Sequence, residues 1–305
     1  MPEITAGDFR YYDLRQRTAS NDLGVLFPDW KPGDERVAVF SPHDDDAALG
    51  AGYAMLSALA NGAEVFVMVF CNGWAGYSTP EEAAGIVEIR AQETINAYTA
   101  MGVPRENVLR MGYADFSLLP HIGWHLDSGR LGTTANVVPA LRRLQVTRLL
   151  MPNGYREHID HESVHRVGAF DGPQVGDAIL AEYGKAKPVR SYMQYAVWAD
   201  LSPEDALVCG EDPRVRANRA VVATPKVEEK VMEAVLAWKS QGQVIEGLVD
   251  QRAGRRHGAI EEIVGSHRVI DKPQGVRRPR QRLCVGLLIS RKPGLALRPE
   301  AEPHR

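Results

Sequence analysis

Short apolar runs alternating with segments of helical spacing constrain the fold of this chain more than any other feature. Residues 37–41, 65–71, 108–111 and 149–151 read as strands. Between the first two, residues 47–59 carry small and apolar residues at helical spacing and stop at Asn61-Gly62, a helix-ending signal. Residues 80–101 read as a second helix, opening at Pro80-Glu81-Glu82, where acidic groups complement the positive helix end, and closing at Gly102. Strand and helix in this alternation predict an α/β fold of the doubly wound kind, a mainly parallel sheet with helices on both faces. Further on, 191–198 and 219–223 read as strands, and Thr224-Pro225 caps a helix running through Trp238. The expected organisation is an N-terminal extension over 1–34, closed by the turn Lys31-Pro32-Gly33-Asp34, a main domain over 35–270, and a basic, proline-rich segment over 271–305 in which 283–289 could form one edge strand.

With 305 residues and 44% hydrophobic content, the chain is long enough to bury a substantial core. Its formal net charge of -3 supplies no general basic field for nucleic acid or an anionic membrane, so a small-molecule partner is expected. The basic stretches KPQGVRRPRQR and RKPGLALRPEAEPHR read as solvated tail. Neither a signal peptide nor a membrane-crossing apolar run is apparent, which predicts a cytoplasmic protein, with homo-oligomer formation left open. Cys71, Cys209 and Cys284 are odd in number and far apart, fitting neither a disulfide framework nor a thiolate zinc site.

In open parallel sheets, ligands bind beyond the carboxyl ends of the strands, where crossover loops and helix N-termini converge. Those ends carry Ser41-Pro42-His43-Asp44-Asp45-Asp46, Asn72-Gly73-Trp74, Tyr113-Ala114-Asp115 and the stretch 153–165, which contains His158-Ile159-Asp160-His161. An Asp before a helix is commonly a cap, and a lone histidine is commonly an ordinary polar residue. Two His-Asp clusters at the ends of separate strands point instead to one site, because two histidines and a carboxylate form a catalytic zinc site with a position open for water. The same donors also hold ferrous iron in oxygenases, which are usually β-rich, unlike this pattern. Gly50-Ala51-Gly52 is a poor dinucleotide motif, since Met55 stands where the third glycine belongs and acidic residues precede it. His121 and His125 have the spacing of a helical metal pair, but Pro120 and Gly123 place them in a loop.

These motifs resemble those of the PIG-L/LmbE-like N-acetylglucosaminyl deacetylases. His43-Asp44-Asp45-Asp46-Ala47, followed by Leu49-Gly50-Ala51-Gly52, is similar to that family's His-Pro-Asp-Asp-Glu motif and its Gly-containing helix, and His158-Ile159-Asp160-His161 to its His-x-Asp-His motif. Asn72-Gly73, Arg90 with Glu93, Met101-Gly102-Val103, Asp115 and Lys230 with Ser240-Gln241 extend the likeness over 37–241. The resemblance implies a Rossmann-like fold and a zinc-dependent hydrolase that removes the acetyl group from an N-acetylated amino sugar or related glycoside. His43, Asp46 and His161 would hold Zn2+ or another divalent ion. Asp45 would be the general base toward the attacking water, and His158, oriented by Asp160, would steady the tetrahedral intermediate. Arg90 and Asp115 match positions that tend to face sugar hydroxyls. Trp74, with Tyr77 and Trp124, lies in loops where aromatic rings can stack on a sugar. Two departures stand out: Asp44 replaces the family's proline and Ala47 its glutamate. The three consecutive aspartates admit a second register, with Asp44 and Asp45 as base and ligand, although the His-x-Asp-Asp spacing favours Asp45 and Asp46. The departures also admit a non-catalytic metal- or glycan-binding protein.

Overall fold

The computed structural model describes residues 3–198, 201–203, 215–247, 249–250 and 284–291. In chain order its strands are β1 (Phe9–Asp13), β2 (Thr18–Ser20), β3 (Arg36–Ser41), β4 (Glu64–Cys71), β5 (Val108–Tyr113), β6 (Arg148–Pro152), β7 (Ser191–Tyr195), β8 (Leu201–Pro203), β9 (Val215–Ala217), β10 (Arg219–Ala223) and β11 (Cys284–Arg291). The α-helices are α1 (Asp46–Ala60), α2 (Ile86–Ala100), α3 (Thr133–Arg143), α4 (Ile159–Gln174) and α5 (Pro225–Val235).

One nine-stranded sheet runs in the order β2-β1-β10-β11-β7-β6-β3-β4-β5, and β8 pairs separately with β9. The five strands from β7 to β5 are parallel, as the alternating pattern predicts. Both faces of these strands are buried. Val37 and Val39 of β3 pack into the cluster that contains Tyr53, Ala97 and Val231 from α1, α2 and α5. Ala38 and Phe40, pointing the other way, pack with Val137, Leu141, Val164 and Val167 from α3 and α4. Each fully buried side chain of this size contributes on the order of 1.5–3 kcal/mol. No helix among the described residues is long and apolar enough to cross a membrane.

The remaining four strands are antiparallel and extend the sheet beyond β7. The N-terminal stretch, expected as an extension, supplies β1 and β2, with Tyr11 paired to Val221. The late apolar run, expected at an edge, forms β11 inside the sheet between β10 and β7, because β1 and β2 continue the sheet past it. The helix expected over 80–101 is interrupted. A 3-10 turn, Pro80–Ala83, is followed by Gly85 at φ 90, a left-handed conformation that suits glycine and ends one segment before α2 begins. Cys209, most of the basic C-terminal stretches and residues 251–283 lie outside the described residues.

From β3 the chain winds outward through β4 and β5, then returns to the other side of β3 for β6 and β7. The crossover direction therefore reverses between β3 and β6, and a crevice opens there at the strands' carboxyl ends. At the opposite end the same two strands are tied by Glu35, which accepts hydrogen bonds from Thr147 Oγ1 at 2.6 Å, Arg148 Nη2 at 2.9 Å and Arg190 Nη2 at 2.8 Å.

Within α4, Asp171 accepts a hydrogen bond from Thr134 Oγ1 of α3 at 2.7 Å through one oxygen, while its other oxygen is buried without a partner. Burial pushes this carboxyl up to about 6, against pulls from Thr134 and Thr133. Above the unfolded-state value of about 3.9, the folded chain holds a proton that the unfolded chain has released. Stability from this group is therefore lost as pH rises through the interval up to about 6. Asp171→Asn should flatten that loss and raise stability at pH 8 by on the order of 1–3 kcal/mol, measured as denaturant midpoints at pH 5 and pH 8. An unchanged pH dependence in the variant would contradict this account.

Candidate metal centre and active site

The crevice between β3 and β6 is where the two His-Asp segments meet. After β3, Ser41 Oγ accepts the Ala47 amide at 3.0 Å and donates to the His43 carbonyl at 2.5 Å, folding 42–46 into a tight loop over the start of α1. Asp46 opens that helix, where the positive end favours a carboxylate. After β6, His158 caps α4 with its own ring: Nδ1 accepts the Asp160 amide at 3.2 Å. The first turn of α4 thereby places Asp160 and His161, both fully buried, facing the β3 loop.

The two segments close around one oxygen. Asp46 Oδ2 lies 3.1 Å from His43 Nδ1 and 3.0 Å from His161 Nε2, and accepts the His43 amide at 2.8 Å. Burial pulls His43 toward its neutral form, but its bonds to Asp160 and Asp46 outweigh this and push its pKa up to about 10. His161 is likewise lowered by burial yet raised to about 9, chiefly by the charge of Asp46. Asp46, despite burial, is held well below the carboxylate range by both histidines. The pocket thus draws positive charge to two imidazole nitrogens, which are also the atoms a divalent cation would engage.

Three overlapping donor clusters share His43: with Asp46 and His161, with His158 and Asp160, and with Cys71 and Asp115. In the second, Asp160 Oδ2 is already occupied by the Phe116 amide at 2.7 Å and His43 Nε2 at 3.1 Å. In the third, both oxygens of Asp115 accept backbone amides, from Gly73 at 3.0 Å and Ala75 at 2.8 Å. Cys71 is a buried free thiol that burial and neighbouring carboxylates keep protonated. In the first cluster the buried His161 Nε2 faces only the shared Asp46 oxygen, at 3.0 Å, whereas in the second the buried atom without a partner is the outer oxygen of Asp160, whose other oxygen is doubly engaged. Tetrahedral donors about 2.0–2.1 Å from zinc stand roughly 3.3 Å apart, close to the spacing seen here. His43, Asp46 and His161 fit a divalent cation.

Asp45 stands beside this cluster at the helix cap position, yet its carboxylate makes no capping bond. Burial first, then the charge of Asp46, push its carboxyl up to about 6, with Arg90 and His43 pulling back. Asp44 points elsewhere. Fully buried, it pairs with Arg90 Nε at 2.7 Å and with Arg110 Nη1, and accepts from Thr94 Oγ1 at 2.7 Å. Its carbonyl also accepts the Tyr98 hydroxyl at 2.7 Å. The second register of the aspartate run, with Asp44 as base, has no support in this geometry.

Several residues hold this arrangement rather than line it. Asp160 was expected to orient His158; its carboxylate holds His43, and His158 Nδ1 lies 3.6 Å away, engaged by the Asp160 amide. Arg90 and Asp115, expected at a sugar, both support residues 73–76. Asp115 takes the loop's amides, and Arg90 packs so closely beneath it that a Cβ at Gly73, whose φ is 80, would lie 2.7 Å from Arg90 Cδ. Trp74 in that loop is 57% exposed. His121 and His125 enter none of the donor clusters among the described residues.

Glu157 was not singled out in the sequence. Its carboxylate accepts His161 Nδ1 at 3.0 Å, Asn153 Nδ2 at 2.9 Å and the amides of Val197 at 2.9 Å and Trp198 at 3.0 Å. The bond to Nδ1 fixes the His161 tautomer whose Nε2 lone pair faces Asp46 and His43. The Glu157/His161 spacing across a helix start is the one local signal that could have revealed it. Glu157→Gln should weaken cation affinity by about 10- to 100-fold, measured by competition with a chromophoric chelator; affinity within twofold of wild type would remove Glu157 from this role.

Comparison with known proteins agrees with the fold and the motifs. Residues 38–169 match the family model described as PIG-L: GlcNAc-PI de-N-acetylase. A 1D-myo-inositol 2-acetamido-2-deoxy-alpha-D-glucopyranoside deacetylase of Catenulispora acidiphila is 29% identical over 195 residues, covering 55% of this chain and 57% of the relative, so the match spans little more than half of that protein. Two solved structures share the fold over most of the chain. N,N'-diacetylchitobiose deacetylase from Pyrococcus horikoshii is 16% identical with TM-score 0.60, covering 88% of this chain and 90% of that one. The 4-carboxy-2-hydroxymuconate hydratase GalB from Pseudomonas putida KT2440 is 16% identical with TM-score 0.59, covering 87% and 99%. With its two His-Asp segments brought together at the switch point of a parallel sheet, the chain is similar through residues 38–169, a little under half of its length, to the PIG-L family.

Proposed function

We propose that the protein is a metal-dependent hydrolase that removes the acetyl group from the amine of an N-acetylated amino sugar or related glycoside. The observation that carries this reading is the meeting of His43, Asp46 and His161 around one carboxylate oxygen, with the uncapped Asp45 beside them. The family match and the deacetylase activity named for the Catenulispora relative support it. A divalent cation held by these three residues, zinc by the donor set, would polarise the amide carbonyl and acidify water.

The chain's own residues supply the rest. Asp45 is placed to take a proton from the attacking water and to return it to the departing amine. His158 uses Nδ1 to accept the Asp160 amide, so the proton of its neutral ring sits on Nε2, available to the oxygen that gains charge during attack. Burial and the nearby charge of His43 lower its pKa, in keeping with a neutral donor. Asp160 and Glu157 fix the orientation of the two ligand histidines. Trp74, exposed on the neighbouring loop, offers a ring to the sugar, while Arg90 and Asp115 shape that loop from below.

A metal- or glycan-binding protein without turnover would have no use for an unpaired carboxylate in this position, which favours catalysis. GalB shows that the same fold also accommodates a hydratase, so the fold alone does not select the reaction. The deciding assay is release of primary amine from a panel of N-acetylated sugars and glycosides by the zinc-loaded chain. Release that depends on Asp45 is expected; no release from any member would overturn the proposal.

A further inference from the structure

Phe116 is the one aromatic among six described non-glycine residues with positive φ, at 61. A bulky side chain rarely adopts this conformation, which glycine or asparagine adopts readily. Such strain persists when something holds the backbone in place, and here the Phe116 amide donates to Asp160 Oδ2 at 2.7 Å, the same oxygen that holds His43 Nε2 at 3.1 Å. The phenyl ring gains little burial in return, since the residue is 63% exposed. A turn needing only this backbone would be served better by glycine, and a core needing this ring would cover it. The ring stands instead at the mouth of the crevice, 4.6 Å from the His158 ring and nearly perpendicular to it at 68°. The His158 ring in turn lies 5.0 Å from the His43 ring, so the exposed phenyl continues a line of rings that leads from the cluster to the surface.

We infer that Phe116 is a specificity-determining residue, a platform that stacks on the C–H face of the pyranose ring whose N-acetyl group is presented to the cluster. Sugar rings expose such an apolar face, and an aromatic surface recognises it without competing for the hydroxyls. This rests on the deacetylation reading for its substrate class, and it adds a selectivity for cyclic over acyclic N-acetyl amines that the cluster by itself would not impose.

The test uses the zinc-loaded full chain and two replacements. Phe116→Gly removes the ring while suiting the backbone, so its Tm should equal or exceed that of wild type; Phe116→Trp retains a platform. For N-acetylglucosamine methyl glycoside, Phe116→Gly should raise KM roughly three- to tenfold with little change in kcat. An acyclic N-acetyl amine should show no such change, and Phe116→Trp should restore the glycoside KM. Binding of the same glycoside is measured by calorimetry in an Asp45→Asn background, where the Gly variant should weaken Kd by the same factor. Unchanged KM and Kd in Phe116→Gly, or equal losses for the cyclic and acyclic compounds, would overturn the inference while leaving deacetylation standing. Glycoside binding that depends on Phe116 in a chain that cleaves nothing would do the reverse. A wild-type chain that neither binds nor cleaves any glycoside would overturn both.

Discussion

Replacing Asp45 by asparagine is expected to lower kcat by about 100- to 10,000-fold while leaving the cation bound and the fold intact. The expectation follows from what Asp45 does not do. It occupies the cap position of α1 without its side chain capping it, and it stands next to Asp46 in the cluster of His43, Asp46 and His161. Asparagine keeps its shape and is an equally good cap, so helix stability should be unaffected. It lacks the basicity needed to accept a proton from water. Steady-state kinetics and metal content measured on the same preparation check this together. A variant within threefold of wild type in kcat would show that the proton goes elsewhere.

His158→Ala is expected to cost about 100- to 1000-fold in kcat, through loss of the Nε2 donor at the developing oxyanion. Because the His158 ring also caps α4, alanine removes two functions at once. Loss of a cap is worth about 1 kcal/mol of stability, which alone would not produce such a rate effect. His158→Asn separates them, since asparagine caps helices well but does not reach as far into the crevice. The rate loss should persist in His158→Asn while the loss of Tm does not. Near-wild-type turnover in either variant would remove His158 from the chemistry.

The parallel half of the sheet was readable because β3, β4 and β6 are buried on both faces and appear as nearly continuous apolar runs. The antiparallel half was harder. β1 shows alternating burial over Phe9–Asp13, but two tyrosines and an arginine mask that alternation in the sequence, and its partner β10 is some 200 residues away. The position of β11 inside the sheet depends on pairings that no local pattern encodes.

Within the candidate site, the two motifs and their meeting at the switch point were legible from strand order and chemistry. The choice among Asp44, Asp45 and Asp46 rested on spacing alone. In the fold it depends on Arg90 and Arg110, which draw Asp44 into a buried ion cluster and leave the other two at the crevice. Such a buried pair, if broken from one side, typically costs about 3–5 kcal/mol, so the loop geometry is firmly set. Phe116 carried no sequence signal, because its backbone conformation is imposed by Asp160 from a distant segment.

Zinc K-edge X-ray absorption on the chain loaded with one equivalent of zinc tests the central claim most directly. Coordination by two imidazoles, one from each His-Asp segment, together with oxygen donors at about 2.0–2.2 Å is the predicted spectrum. A sulfur scatterer from Cys71, or a single imidazole, would contradict it and show that His43 and His161 do not share the ion.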